Sequence, residues 1–488
     1  MYKVVIVVNN SEYSEKLNVL DEMLLETYSQ KLEILEKQQS EKYVLQTGKS
    51  NTQAIEKAKA NFGSQLRLSQ DNFIKLLERN DSFFTRSDKD TTSYDDPIFA
   101  LNNQAKKDTD PNKVNATLGT LLDEDKQICV FDSVYDCFDK VGNKQKASYS
   151  SSIAGNSDYN QAVFDNINQK NNIHLANKTI ASAGGSGALY LCFNSFLSEG
   201  QEILIPETSW TSYELMAEQA SLKVVNYKLT DEENNVDLKD LMLRSLQIIK
   251  KQHKLVVLIN DPCQNPTGIC LSDNYWKILI EYYNRLKEYG KVIIINDIAY
   301  IDYAYNDPFE HFTHFNDIDD HILINIAYSC SKSLTAYGMR LGANIILHKD
   351  EKVVQEVFDY MLKNCRATWS NVNNGFMITY VKLMKEHYQQ YQQEKDKAVE
   401  MLKERSEAFL QQAKEVDLPI FPYTSGFFIT VKIDDDDLLD KVQKKLMEKH
   451  IYVVKFKKGL RVSICSITKE QCAYLPSKIK EAIKECQL

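Results

Sequence analysis

Nowhere in the 488 residues does an apolar run approach the roughly 20 consecutive positions that a membrane span requires. The opening MYKVVIVVNN holds an apolar run too short for a secretory signal, and acidic residues follow it at once. The Arg- and Ser-rich, acid-poor character of a transit peptide is missing as well. Cysteine occurs ten times, but never as a CxxC pair and never beside clustered histidines, which excludes the usual zinc and redox-dithiol patterns. Cys263, Cys330 and Cys465 stand inside apolar or motif segments, where a free thiol reads as a small buried hydrophobe rather than a nucleophile. Excess positive charge is lacking too: the formal net charge is −9, which argues against a nucleic-acid-binding face. These absences predict a cytoplasmic protein in a reducing compartment. Its length suits two or three lobes with ample core.

What is present falls into segments of different texture. After a short strand candidate at the start, residues 14–47 and 53–80 are polar, with Leu17, Leu20, Leu24, Leu32 and Leu35 at helical spacing. DSFFTRSDKDTTSYDD then reads as a linker, so residues 1–92 are expected to be an N-terminal extension, helical or partly disordered. From about residue 180 a βα rhythm sets in. EILIPE (202–207), KVVNYKL (223–229), LVVLIN (255–260), KVIIIND (291–297) and HILINIAYS (321–329) read as buried parallel strands. NYWKILIEYYNRLKEYG (274–290) has helical spacing, with Gly290 as its expected C-terminal cap. Alternating strands and helices imply a doubly wound α/β sheet with ligands at the carboxyl ends of its strands. Beyond about 385 a charged helical stretch, KAVEMLKERSEAFLQQAKEV, precedes SGFFITVKI, IYVVKF and LRVSICS, which suggest a smaller α+β domain.

Four motifs stand at the ends of expected strands. In SAGGSGALYLCFNSF (182–196), glycines flank Ser186 just before a helical run, a turn that presents backbone N–H groups to an anion; a plain glycine turn would read the same. NDPCQNPTG (260–268) places the Asn265 amide in a rigid turn before Pro266. INDIAYIDY (295–303) ends an apolar strand on Asp297, a costly place for a carboxylate without a cationic partner, with Tyr300 three residues on. AYSCSKSLTAYGMRLG (327–342) crowds Ser329, Ser331, Lys332 and Arg340 together, an anion site beside an amine that can form a Schiff base with a carbonyl.

In order and spacing these motifs, with Ser209-Trp210 and the later SGFF and LRVSIC, resemble those of class I aminotransferases, pyridoxal-5′-phosphate (PLP) enzymes of fold type I, in the aspartate and aromatic group. The resemblance runs from about residue 95 to the C-terminus. YDDPIFALNNQAKKDTDPNKVNATLGTLLDE is similar to the family's opening, and residues 1–92 have no counterpart. It implies a seven-stranded, mostly parallel large domain (129–400), an N-terminal arm and first part of the small domain (93–128), and a C-terminal small domain (401–488). It also implies roles. Lys332 would hold PLP as a Schiff base and act as catalytic base, Asp297 would pair with the ring nitrogen, and Tyr300 and Asn265 would contact the phenolic oxygen. Trp210 would stack on the ring, and Gly185, Ser186, Ser329, Ser331 and Arg340 would hold the phosphate. Arg461 would bind the substrate α-carboxylate, and Gly119 would lie beside the substrate. KNCRATWSN resembles the segment from which an Arg, here Arg366, reaches in from the partner subunit of a homodimer to the distal carboxylate of a dicarboxylic substrate.

The chain departs from the family pattern at three places. Ser150, with Tyr149 one position off, stands where a tyrosine crosses the dimer to the phosphate. Val372 and Asn373 replace prolines, and Tyr213 stands where aspartate-specific members often carry a histidine. The expected activity is amino transfer from aspartate, or another dicarboxylic or aromatic donor, to 2-oxoglutarate. A PLP lyase or decarboxylase on the same scaffold is the alternative, because cofactor contacts alone do not choose the bond broken. A PLP-sensing regulator is a further one, but residues 1–92 show no basic helix-turn-helix pattern.

Overall fold

The computed structural model describes residues 96–487 and two short strands, β1 (Val4–Val7) and β2 (Lys42–Leu45). Contacts divide the chain into two units, 1–94 and 95–488. In the first, β1 pairs antiparallel with β2, with Val4 opposite Leu45. The helical spacing of Leu17 to Leu35, the 53–80 segment and the linker lie outside the described residues. Among the described residues no helix is long and apolar enough to cross a membrane.

The second unit is built on a seven-stranded sheet of β4 (Ala176–Ser182), β5 (Glu202–Pro206), β6 (Lys223–Tyr227), β7 (Lys254–Asn260), β8 (Lys291–Asp297), β9 (Ile322–Ser329) and β10 (Gly342–His348). Their order is β4-β10-β9-β8-β7-β5-β6. Strands β9, β8, β7, β5 and β6 run parallel. The alternation that makes a strand two-faced explains why these read as unbroken apolar runs. Leu255, Val257 and Ile259 point into one core, whereas Val256 and Leu258 point into the other. The same division holds on β8, with Val292 and Ile294 on one side and Ile293 and Ile295 on the other.

One feature completes the mostly parallel sheet expected from the sequence, and a second corrects the reading. β10 pairs antiparallel with both β4 and β9, so the strand after the lysine motif runs against its neighbours. The helix expected over 274–290 spans only Asp273–Asn284, and Gly290 does not cap it. Gly290 has φ +149, and a Cβ there would lie 2.0 Å from the carbonyl oxygen of His253. It is glycine because β8 enters the sheet against that backbone.

A second, four-stranded sheet has the order β11-β13-β12-β3, formed by β11 (Phe428–Lys432), β13 (Gly459–Ser463), β12 (Ile451–Phe456) and β3 (Val114–Ala116). The three strands read from the sequence after residue 385 are β11, β12 and β13, and β3 joins them in parallel with β12. Helices Tyr388–Glu415 and Lys469–Gln487 pack on each other beside this sheet, and the first runs unbroken across residue 400.

Candidate active site

Strands β7, β8 and β9 end side by side on Asn260, Asp297 and Ser329, and a cavity of about 580 Å³ opens at those ends. Side by side, parallel strands deliver their loops to one edge, so motifs far apart in sequence share one wall. Gly119, Trp210, Asn265, Tyr300, Lys332 and Arg461 all line this cavity. Gly185, Ser186, Ser331 and Arg340 line it as well. Arg366 does not: it is exposed at the end of helix Glu351–Ala367 and donates to the Ser370 hydroxyl at 2.5 Å. Tyr149 is exposed at 85 %.

Lys332 lies in the short helix Cys330–Ser333 directly after β9, and its Nζ donates to the carbonyl oxygen of Gly119 at 2.6 Å. The ammonium sits over the Tyr337 ring, 4.7 Å from its centroid. Burial, with the nearby Arg461 and Arg340 guanidiniums, lowers its pKa to about 8, so the free amine is within reach near neutral pH.

Asp297 is buried, and its two oxygens accept different donors: Oδ2 the Tyr213 hydroxyl at 2.6 Å, and Oδ1 the Ala299 N–H at 3.0 Å. Burial raises its pKa to about 6 against the pull of those two bonds. Opposite it, the Asn265 loop is held by Asn260 Oδ1, which accepts the Asn265 N–H at 2.8 Å. Asn265 Oδ1 in turn accepts from Arg461 Nη1 at 3.1 Å. Arg461 projects from β13 and is buried, stacked 4.3 Å from the Phe428 ring centroid, with Nη2 on the carbonyl of Thr117. Burial lowers its pKa to about 10, which leaves it cationic at neutral pH.

The third corner is an anion cradle. Helix Gly184–Phe193 begins at the cavity, with Gly185 and Ser186 of its first turn in the lining, and a helix start is where backbone N–H groups suit an anion. Arg340 Nη1 donates to the Ser331 hydroxyl at 3.0 Å. A Cβ on Gly185 would lie 2.9 Å from that of Ser329, and one on Gly184 would lie 2.6 Å from Arg340 Nη2. Only glycine lets the helix start come so close to β9 and to the arginine. Three contributions were not read from the sequence: the Gly119 carbonyl on Lys332, Tyr337 beneath that lysine, and the bond from Tyr213 to Asp297. The first two carry a weak signal at most, since Tyr337 stands five residues beyond Lys332 in the same motif.

An amine, a buried carboxylate and a phosphate-sized anion cradle around one cavity are the donor set that pyridoxal phosphate requires, and the residues fit it. Fold and site together define a PLP-dependent enzyme. The chain belongs to the aminotransferase class I and II family, whose model matches residues 111–479. The aspartate aminotransferase of Haemophilus influenzae is 22% identical over 399 residues, covering 80% of this chain and 98% of that one. The Escherichia coli aspartate aminotransferase is 25% identical over 284 residues, 57% of this chain and 69% of that one. An aminotransferase from Anaerococcus prevotii superposes with a TM-score of 0.78 at 28% identity, covering 82% of this chain and 98% of that one. The aromatic-amino-acid aminotransferase of Burkholderia pseudomallei, covalently bound to pyridoxal phosphate, superposes at 0.68 with 20% identity, covering 82% and 100%. The protein is a PLP-dependent aminotransferase.

Proposed function

We propose that this enzyme moves the amino group of aspartate, or of another dicarboxylic or aromatic donor, to 2-oxoglutarate, as a cytoplasmic homodimer. The observation that supports it best is the placement of an amine and a guanidinium on one cavity: Lys332 on Gly119 O, and Arg461 on Asn265 and Phe428. When bound, PLP supplies a carbonyl for the donor's amine and a ring that accepts the electron pair left by the departing α-proton. Arg461 clamps the α-carboxylate of every substrate, and a planar guanidinium suits that fork. Lys332, its pKa lowered by burial to about 8, would take and return the α-proton. Asp297 would keep the ring nitrogen protonated, and Tyr300 and Asn265 would bond the phenolic oxygen. Trp210 would cover the ring face. Gly185, Ser186, Ser329, Ser331 and Arg340 would hold the phosphate, and Gly119 would border the substrate. Arg366 is assigned to the partner's cavity in the dimer, where it meets the distal carboxylate. All ten cysteines are free thiols, as suits a reducing cytoplasm.

A panel of amino donors and 2-oxo acids on the purified protein, followed through the cofactor spectrum of each half-reaction, tests the reading. Aspartate and 2-oxoglutarate should react fastest. Release of carbon dioxide or ammonia in place of a second amino acid would assign a decarboxylase or lyase.

A further inference from the structure

Beyond Asn260 the chain leaves β7, passes Asn265 and closes on itself at the neck of a loop. There the Gln264 N–H donates to the Ile269 carbonyl at 2.9 Å, and the Cys263 N–H to the Cys270 sulfur at 3.2 Å. One hydroxyl, Ser425 Oγ, lies 3.3 Å from Cys263 Sγ and 3.1 Å from Cys270 Sγ. The segment that carries this serine is tied to the same loop, since the Thr424 and Ser425 N–H groups donate to the Gly268 carbonyl at 2.9 and 3.1 Å. Packing is close: a Cβ on Gly426 would lie 2.6 Å from that of Cys263. Cys263 is the small buried group that its sequence context suggests, but the fold sets a second sulfur beside it.

The two thiols differ in access and in charge. Cys263 is buried, whereas Cys270 is only half-buried. Hydrogen bonding from Cys263, with that from Ser425, draws the Cys270 thiol below its ordinary pKa against the effect of burial. Burial pushes the Cys263 thiol well above its own. Access and thiolate character together decide which thiol an oxidant meets first, and both select Cys270. Its sulfur already touches the Cys263 backbone, so side-chain rotation at the neck of the loop brings sulfur to sulfur.

We propose that Cys263 and Cys270 form a hydroperoxide-sensitive dithiol, with Cys270 attacked first and Cys263 resolving it, whose disulfide takes the Asn265 loop out of its working form. A hydroperoxide accepts the electron pair of the Cys270 sulfur: an S–O bond forms, the O–O bond breaks, and the leaving oxygen departs as an alcohol (water, from hydrogen peroxide) with the Cys270 proton. Cys263 then attacks that sulfur, the S–S bond forms, and the hydroxyl leaves as water with the Cys263 proton. Both sulfurs thereby give up Ser425, and the Cys263 N–H loses its acceptor, two residues before Asn265. Asn265 Oδ1 accepts from Arg461, so the change reaches the cavity. Only this effect on turnover rests on the roles given above to Asn265 and Arg461.

Trypsin should release residues 255–277 as one peptide that holds these two cysteines and no other. The PLP-loaded full chain is treated with hydrogen peroxide, then alkylated with iodoacetamide in denaturant. Both cysteines of that peptide should escape alkylation, with its mass lower by two hydrogens, and dithiothreitol should restore both. In Cys263→Ser, dimedone should tag Cys270; in Cys270→Ser, Cys263 should remain alkylatable at the same dose. Turnover of the oxidised wild type should fall roughly ten-fold, as expected for displacing one hydrogen bond to a charged group, and return with dithiothreitol. Cys270→Ser should keep its turnover through the treatment. Sulfinic acid at Cys270 with Cys263 still a thiol, or a disulfide that leaves turnover unchanged, overturns the proposal. The wild-type peptide map needs no variant, so it remains decisive if a serine variant fails to fold. A disulfide formed in protein that takes up no PLP would support the thiol pair and overturn the reading of the site.

Discussion

The Nζ of Lys332 donates to the carbonyl oxygen of Gly119 at 2.6 Å, joining the turn after β9 to the segment that follows β3. Lys332→Ala should remove the visible absorbance band of a lysine–pyridoxal linkage and lower turnover by at least about 10²-fold, with PLP still held non-covalently. Borohydride reduction followed by peptide mapping checks it. A reducible linkage at another lysine in the variant would sink the assignment.

Asp297 is costly to the fold and useful to the reaction, and substitution should separate the two effects. Its pKa in the folded protein is about 6, above the ordinary 3.8. Between about pH 4 and 6 the folded protein keeps a proton that the unfolded chain has lost, so stability falls as pH rises through that window. By pH 7 the loss approaches about 3 kcal/mol. Asp297→Asn should therefore flatten the pH profile of the cofactor-free protein and stabilise it at pH 7, while slowing α-proton removal severely. Urea unfolding at pH 5 and 7.5, with half-reaction kinetics alongside, measures both. Parallel stability profiles for wild type and variant would contradict the burial argument.

Arg366 and Arg461 are expected to differ in pattern. Arg461→Ala should impair every donor, because each carries an α-carboxylate. Arg366→Ala should raise KM for aspartate, glutamate and 2-oxoglutarate, lowering kcat/KM for them by roughly two decades, and largely spare neutral donors. Equal losses for acidic and neutral donors in Arg366→Ala would leave an aminotransferase of other specificity.

Removal of residues 1–92 should leave a folded, PLP-binding enzyme. Contacts divide the chain after residue 94, and every described residue that lines the cavity lies beyond that point. Far-UV circular dichroism and cofactor titration of the shortened chain decide it; an insoluble product would place the extension within the core or a subunit interface.

Much of this was legible in the residues alone. Strands β7, β8 and β9 are apolar on both faces, and that demands burial between two layers wherever they lie in the sheet. The chemistry of Lys332, Asp297, Asn265 and Arg340 is carried by residue type at a strand end, which local sequence displays. The direction of β10 was not legible, because a short apolar run such as GANIILH reads alike in either direction. Nor was the end of the helix after Ser272, where Gly290 answers to the His253 carbonyl and not to the helix.

The sequence by itself determined the set of reacting groups and the layered α/β class that carries them. Tertiary structure alone decided which groups meet. Tyr213 reaches Asp297 across 84 residues, Arg461 reaches Asn265 across 196, and the Gly119 carbonyl meets Lys332 across 213. Hydrogen bonds depend on distance and direction to within tenths of an ångström, and no local pattern encodes these between segments that only the packed sheet brings together.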